Sequence, residues 1–293
     1  METTAGRELT PDDLDALVGL ATRCLAADGG LPAAGAAGFL RSRFTGADVW
    51  SRGVAGPDGG LVAAVAVRPQ ANSEVRLLGL VDPAHRGRGL GSALLDRGLV
   101  EADRRGGEVL VESEWLTEPA ADLFATRGLA RVFAEDVLRF DLAGPPPRAA
   151  LPAGLRLLEW SSATADRFFR VYAAAFADRP GFPGWTAEEW LDWTAGDDDF
   201  RPTESLLATG PDGDVGFLTA AEDWISQVGV PPAYRGRGIG AALVAEALRR
   251  MRELGGVEAL LTVNLNNAAG DLYRRLGFAA VGRRARYARP TRG

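Results

Sequence analysis

Two hexapeptides hold the densest chemistry in this sequence. Arg235, Gly236, Arg237, Gly238, Ile239 and Gly240 follow an apolar run and open an amphipathic one. Closely spaced glycines let a backbone approach a ligand. The helix start after them offers unpaired N–H groups and the positive end of a dipole. Together they make a cradle for an anion, to which the two arginines add charge. The G-x-G-x-G spacing is neither the dinucleotide G-x-G-x-x-G nor a P-loop ending in G-K-[ST]. A tight turn with no ligand is the competing account of such a loop. It weakens because the loop recurs as Arg86, Gly87, Arg88, Gly89, Leu90 and Gly91.

The recurrence extends well past the loop. Val81–Gly91 and Val230–Gly240 match at 8 of 11 positions, at an offset of 149 in a chain of 293 residues. Without a gap, the same offset pairs Leu99 with Leu248, Asp122 with Asp271 and Gly128 with Gly277. Two long copies describe a duplicated domain, since solenoids need three or more short repeats. A stretch with four prolines, residues 144–152, reads as a stiff linker between domains 1–143 and 153–293.

The elements that would position each loop keep one order. In the first copy, Thr10 and Pro11 open a helix whose apolar positions are Leu14, Leu17, Val18, Leu20 and Ala21. Strands are expected over 61–67, 75–81, 108–113 and 131–142, with helices over 89–105 and 119–126. In the second, strands are expected over 225–230, 257–263 and 279–287, with helices over 238–254 and 268–276. The alternation predicts a mixed α/β architecture.

Composition narrows the function. All 33 basic residues are arginine and face 39 acids, for a net charge of −6, which argues against a nonspecific nucleic-acid binder. Cys24 and His85 are the only residues of their types, so intramolecular disulfides, cysteine-based zinc sites and HExxH metal sites are excluded and no metal is expected. Cys24 reads as a quiet thiol and His85 as a loop residue. No apolar run reaches the ~18–20 residues of a membrane span, and the start lacks a signal-peptide pattern. These features lead us to expect a soluble, cytoplasmic protein with no membrane or nucleic-acid partner.

The loop at 234–240, the strand end at Asn264, then Asn267 and the run Tyr273 to Phe278 resemble the GCN5-related N-acetyltransferase (GNAT) family. The likeness covers the second copy's core and, less fully, the first. It resembles tandem, two-domain actinobacterial members of the mycothiol-synthase-like group. The resemblance implies α/β (α+β) domains, each a mixed, mostly antiparallel sheet flanked by helices, and acetyl-CoA as co-substrate. It implies that Arg235–Gly240 bind the pyrophosphate and that Val228, Gly229 and Val230 splay from a neighbouring strand to bind the pantetheine arm. The Val230 N–H would polarise the thioester, Asn264 and Asn267 would hold the pantetheine side, and Tyr273 would protonate the departing thiolate. In the first copy, Val81 and the loop Arg86–Gly91 would bind the same co-substrate.

The chemistry of Tyr273 stands by itself, since a phenol with a pKa near ~10 is protonated at pH 7 and can donate to a thiolate. Its competing account is a packing residue under the sheet. An ammonium with a pKa near ~10.4 costs about 4–5 kcal/mol to deprotonate at pH 7, so such an acceptor needs a base. By analogy with the family, Glu222 and Asp223 are the best-placed carboxylates; solvated charges at a strand start are the plainer account. The offset pairs Tyr273 with Phe124, Asn264 with Trp115 and Asn267 with Glu118, so the second copy is expected to catalyse. The first copy would bind acetyl-CoA without turnover or serve as a structural partner.

Residues 181–201 mix Trp185, Trp190 and Trp193 with Asp197, Asp198 and Asp199. In the family this region lines the acceptor site, and acids there suit a cationic amine. The plainer expectation is a helix with a Thr186–Glu189 capping box, Trp185 stapled to Trp190, and Trp193 continuing the apolar face. The expected activity is transfer of acetyl to a primary amine of a small molecule, by direct attack in a ternary complex. A non-catalytic acetyl-CoA or acyl-CoA sensor, or a transferase of longer acyl groups, are the alternatives.

Overall fold

A computed structural model describes residues 6–70, 73–179, 182 and 184–289. By contacts the chain divides into two units. One runs up to Val137 and resumes at Ala280; the other is Leu138–Ala279.

In the first unit, Thr10 and Asp13 form a capping box around the turn Pro11–Asp13, which leads into α1 (Leu14–Asp28). Helix α2 (Ala37–Phe44) comes next, then β1 (Trp50–Ala55), β2 (Leu61–Pro69) and β3 (Glu74–Val81) as an antiparallel meander. Helix α3 (Leu90–Arg105) crosses back to β4 (Glu108–Ser113), which pairs in parallel with β3. Gly98 lets α3 approach the sheet, since a Cβ there would stand 2.6 Å from Leu77. Leu17, Leu20 and Phe44 cover the other face, against Ala64, Leu78 and Leu80. Then come α4 (Glu118–Ala125) and β5 (Ala130–Asp141), whose last four residues belong to the second unit.

The second unit repeats the plan. It comprises β6 (Arg156–Glu159), α5 (Ala165–Phe176), α6 (Ala187–Ala195), β7 (Leu206–Gly210), β8 (Gly213–Ala221), β9 (Trp224–Gly229), α7 (Ile239–Glu253), β10 (Glu258–Asn264) and α8 (Ala269–Arg275). β6 to β9 are antiparallel, and β9 meets β10 in parallel. Leu243, Ala247 and Leu248 of α7 pack with Leu218, Ile225 and Leu261. On the opposite face Phe168, Tyr172 and Trp190 pack with Leu207 and Phe217. Each unit is thus a mixed, mostly antiparallel sheet flanked by helices.

The contact units differ from the two sequence halves at the last strand. β11 (Ala279–Ala288) pairs antiparallel with β4, placing Arg286 opposite Glu112 and Tyr287 opposite Val111. Charge explains its place. Arg283 meets Asp136 at 2.8 Å, Arg284 stands 3.5 Å from Glu114, and Arg286 pairs with Glu114. The linker stretch 144–152 lies inside the second unit.

Candidate active site

Strands β9 and β10 pair at one position, Trp224 with Leu260, where the Leu260 N–H also donates to the Asp223 carbonyl at 2.7 Å. Beyond it they diverge, and the β9 edge that carries Val228 and Gly229 has no ladder partner toward β10. On its other side β9 holds to β8 with one irregularity. Thr219 faces Gln227 and Ala220 faces Ile225, so Ser226 is an extra residue in a β-bulge. A bulge turns backbone groups out of the ladder, here inside the split.

Val230 leads into a short turn, Pro232–Tyr234, and then the arginine–glycine loop. Gly236 and Gly238 have φ of +75° and +84°, a region that side chains disfavour. Gly240 is different, because a Cβ there would meet only Leu272 and Val230 at 3.6 and 3.8 Å. Ile239 begins α7, whose first N–H groups face the loop. The two arginines have separate jobs. The Arg235 guanidinium donates to the carbonyls of Val230 and Ala175 and to both oxygens of Asp178. It clamps the loop to the end of α5, and Asp178 balances its charge. Arg237 is exposed, donates to the Ala233 carbonyl at 2.9 Å and lies over the Tyr234 ring, with no carboxylate partner among the described residues.

Tyr273 is 7% exposed and packs edge-on against Phe278. Burial pushes its phenol up to about 12. Its hydroxyl has no hydrogen-bond partner among the described residues, so the proton is free to be donated. Asn264 and Asn267 sit at the open end of the split. Their side-chain oxygens accept from the N–H groups of Asn266 and Ala269 at 3.0 and 2.9 Å, which forms the turn into α8. Their NH2 groups remain as donors for a ligand.

Glu222 and Asp223 form the two-residue turn between β8 and β9, with Glu222 at φ +45°. They stand at the closed end of the split. At about 3.3 Å per residue, Val230 is roughly 20 Å further along the strand. The Val230 N–H and these carboxylates thus stand well apart along the strand. The bulge at Ser226 lies between them. The acidic run lies beside this turn, since the Glu222 N–H donates to the Asp199 carbonyl at 2.7 Å.

The tryptophan segment departs from expectation in one respect. The Thr186–Glu189 capping box is present, but Trp185 meets Trp193 at 5.3 Å, and Trp193 is 52% exposed. Trp190 instead turns inward against Tyr172. Gly181, where the segment begins, and Pro183 lie outside the described residues.

In the first unit the loop has the same backbone, with Gly87 and Gly89 at φ +72° and +83°. Arg86 is bonded to Asp28 at 2.7 and 2.5 Å, and Arg88 donates to the Ala84 carbonyl. Leu90 opens α3, and a Cβ on Gly91 would meet Leu123 and Val81, as at Gly240. Here β3 and β4 stay paired for five residues, to Leu78 and Glu112, before they part. A cavity of about 410 Å³ begins there, lined by Val81, the loop, Trp115 and Phe124. Glu112 also lines it, 2% exposed and bonded to Arg68 and Arg76 at 2.9 and 2.7 Å. Phe124 supplies no proton.

Sequence reasoning missed the bulge at Ser226, the Asp178 clamp and Glu112. The clamp had a signal, because Asp28 ends the first helix of its copy and Asp178 comes just after the first helix of the other. A lone bulge has none.

Known proteins decide the family. The chain matches the Acetyltransferase (GNAT) family twice, over residues 37–129 and 170–278. It belongs to the GNAT acetyltransferase family. A mycothiol acetyltransferase of Clavibacter sepedonicus is 34% identical over 288 residues, covering 92% of this chain and 90% of that protein. A GCN5-related N-acetyltransferase from Sphaerobacter thermophilus superposes with a TM-score of 0.76 at 28% identity, covering 97% of this chain and 96% of the other. A tandem GNAT protein from the clavulanic acid biosynthesis pathway shares the fold, with a TM-score of 0.61 at 20% identity over 96% of each chain. This GNAT protein is an acyltransferase, and GNAT acetyltransferases use acetyl-CoA as co-substrate. Among the described residues no helix is long and apolar enough to cross a membrane.

Proposed function

We propose that the second unit transfers acetyl from acetyl-CoA to the primary amine of a small molecule, by direct attack while both are bound. One observation carries this reading. The split, the glycine loop and a buried, unbonded phenol at Tyr273 succeed one another within a single βαβα run. The loop Gly236–Gly240 and the start of α7 hold the pyrophosphate, and Arg237, with no carboxylate partner among the described residues, adds charge. The N–H groups around Ser226 and Val228 polarise the carbonyl, a role that pre-aimed backbone donors suit. The amine nitrogen bonds to the acetyl carbon as the C–S bond breaks. Tyr273 gives its proton to the sulfur, and the proton lost by nitrogen passes to Asp223 or Glu222, directly or through water.

The relatives' name supports a small-molecule acceptor, and the amine of unacetylated mycothiol is the first to test. In the first unit, the cavity beside Arg86–Gly91 supports binding of the same co-substrate without turnover, as Phe124 replaces the phenol. The test is an amine panel with mass detection, on wild type and Tyr273→Phe. Acetylation of one amine class, strongly slowed in the variant, is expected. Tight acetyl-CoA binding with no product on any amine would favour a sensor.

A further inference from the structure

Side chains on β9 divide between the two faces of its sheet. Val228 and Val230 pack toward the α7 core. Gln227 points the other way, where its Oε1 accepts from the indole N–H of the fully buried Trp190 at 3.2 Å. An indole nitrogen only donates, so this bond fixes the amide's orientation. The Gln227 NH2 is left with no partner among the described residues. The neighbouring residue is the bulged Ser226, so Gln227 belongs to the strand that borders the split.

A second observation lies across the strand pair. Thr219 is directly opposite Gln227 on β8, which puts both side chains on one face with Cβ atoms about 4.5–5.5 Å apart. Thr219 is 1% exposed, and its hydroxyl has no hydrogen-bond partner among the described residues. Thr194, one helical turn beyond Trp190 on the same side of α6, has a buried hydroxyl in the same condition. Buried polar groups are normally paired, so an unpaired hydroxyl directly opposite an oriented amide, with a second on the helix that carries Trp190, calls for a function.

We propose that Gln227 and Thr219 recognise an oxygen on the acceptor, a hydroxyl or carbonyl near the reacting nitrogen. The inference rests on the acetyl-transfer reading and names its substrate class: amines that carry such an oxygen rather than plain alkylamines. The amide donates to that oxygen, and the threonine hydroxyl donates or accepts as the group requires. A site built to bond an oxygen rejects an analogue that lacks it, because its own polar groups are then left unpaired.

The test uses matched amines, glucosamine against cyclohexylamine and glycinamide against propylamine, titrated by calorimetry into the full-length protein with CoA present. Wild type should bind each oxygen-bearing amine at least about tenfold tighter than its partner. Gln227→Glu keeps an acceptor for Trp190 but removes the NH2, and Thr219→Val removes the hydroxyl without changing shape. Each should cut the preference about tenfold, while Thr219→Val melts no lower than wild type. Equal affinities in wild type, or a preference unchanged in both variants, would overturn the inference. Turnover is read separately with acetyl-CoA. Oxygen-selective binding without acetylation would remove the transfer reading and leave the oxygen-binding site, whereas acetylation without selectivity would do the reverse.

Discussion

The Arg235 guanidinium meets Asp178 through both terminal nitrogens, at 2.9 and 3.1 Å. Its Nε holds the Val230 carbonyl at 3.0 Å, so one side chain ties the end of α5 to the strand end and the loop. The pair is a clamp on the cradle rather than part of its charge. Arg235→Ala should raise KM for acetyl-CoA severalfold and lower the melting temperature, whereas Arg237→Ala should raise KM with little change in melting. Steady-state kinetics beside thermal melts separate the two. Equal melts for both variants would contradict the assignment.

Gly238 precedes α7 at φ +84°, and an L side chain there is strained by roughly 1–2 kcal/mol. Gly238→Ala should therefore weaken acetyl-CoA binding and stability together. Gly240→Ala, where a Cβ meets only ordinary contacts, should cost far less stability. Denaturant unfolding of the two variants provides the comparison.

Burial holds the Tyr273 phenol up to about 12, so it stays protonated over the whole working range. Deprotonation favours the unfolded chain only above the ordinary phenol value of ~10. The rate should climb with pH as the acceptor amine loses its proton, with no fall assignable to Tyr273 below pH ~10. A pH–rate profile whose basic limb lies near 8–9 and disappears in Tyr273→Phe would contradict this.

Two carboxylates are held low, at about 2. Arg7 lowers Asp13, and Arg249 with Arg250 lowers Glu246. A depressed carboxylate stabilises the fold above its unfolded pKa and loses that contribution as pH falls through the folded value. Melting temperature should hold down to about pH 4.5 and then drop toward pH 2. Asp13→Asn should lower it at pH 7 and flatten part of that drop.

Much of this fold is visible in the sequence because it is written twice. The repeated loop marks a strand end and a helix start in each copy, and the matched Gly128 and Gly277 fix the register of the later elements. Tyr273 stood out through the family resemblance and the chemistry of a phenol, and its partner at the offset, Phe124, sets the two copies apart. Other features depend on residues far apart in the chain. β11 lies beside β4 because Arg283, Arg284 and Arg286 find acids some 150 residues earlier, which no local pattern encodes. The bulge at Ser226 depends on β8 register, and the inward turn of Trp190 on a bond to Gln227.

The central claim is that one unit performs acetyl transfer and Tyr273 supplies the proton. The direct measurement is acetyl-CoA-dependent mass gain on the amine panel, with wild type, Tyr273→Phe and Phe124→Tyr compared. Wild type should acetylate one class of amine, Tyr273→Phe should retain about 10⁻² to 10⁻⁴ of that rate, and Phe124→Tyr should match wild type. Undiminished acetylation by Tyr273→Phe would contradict the account.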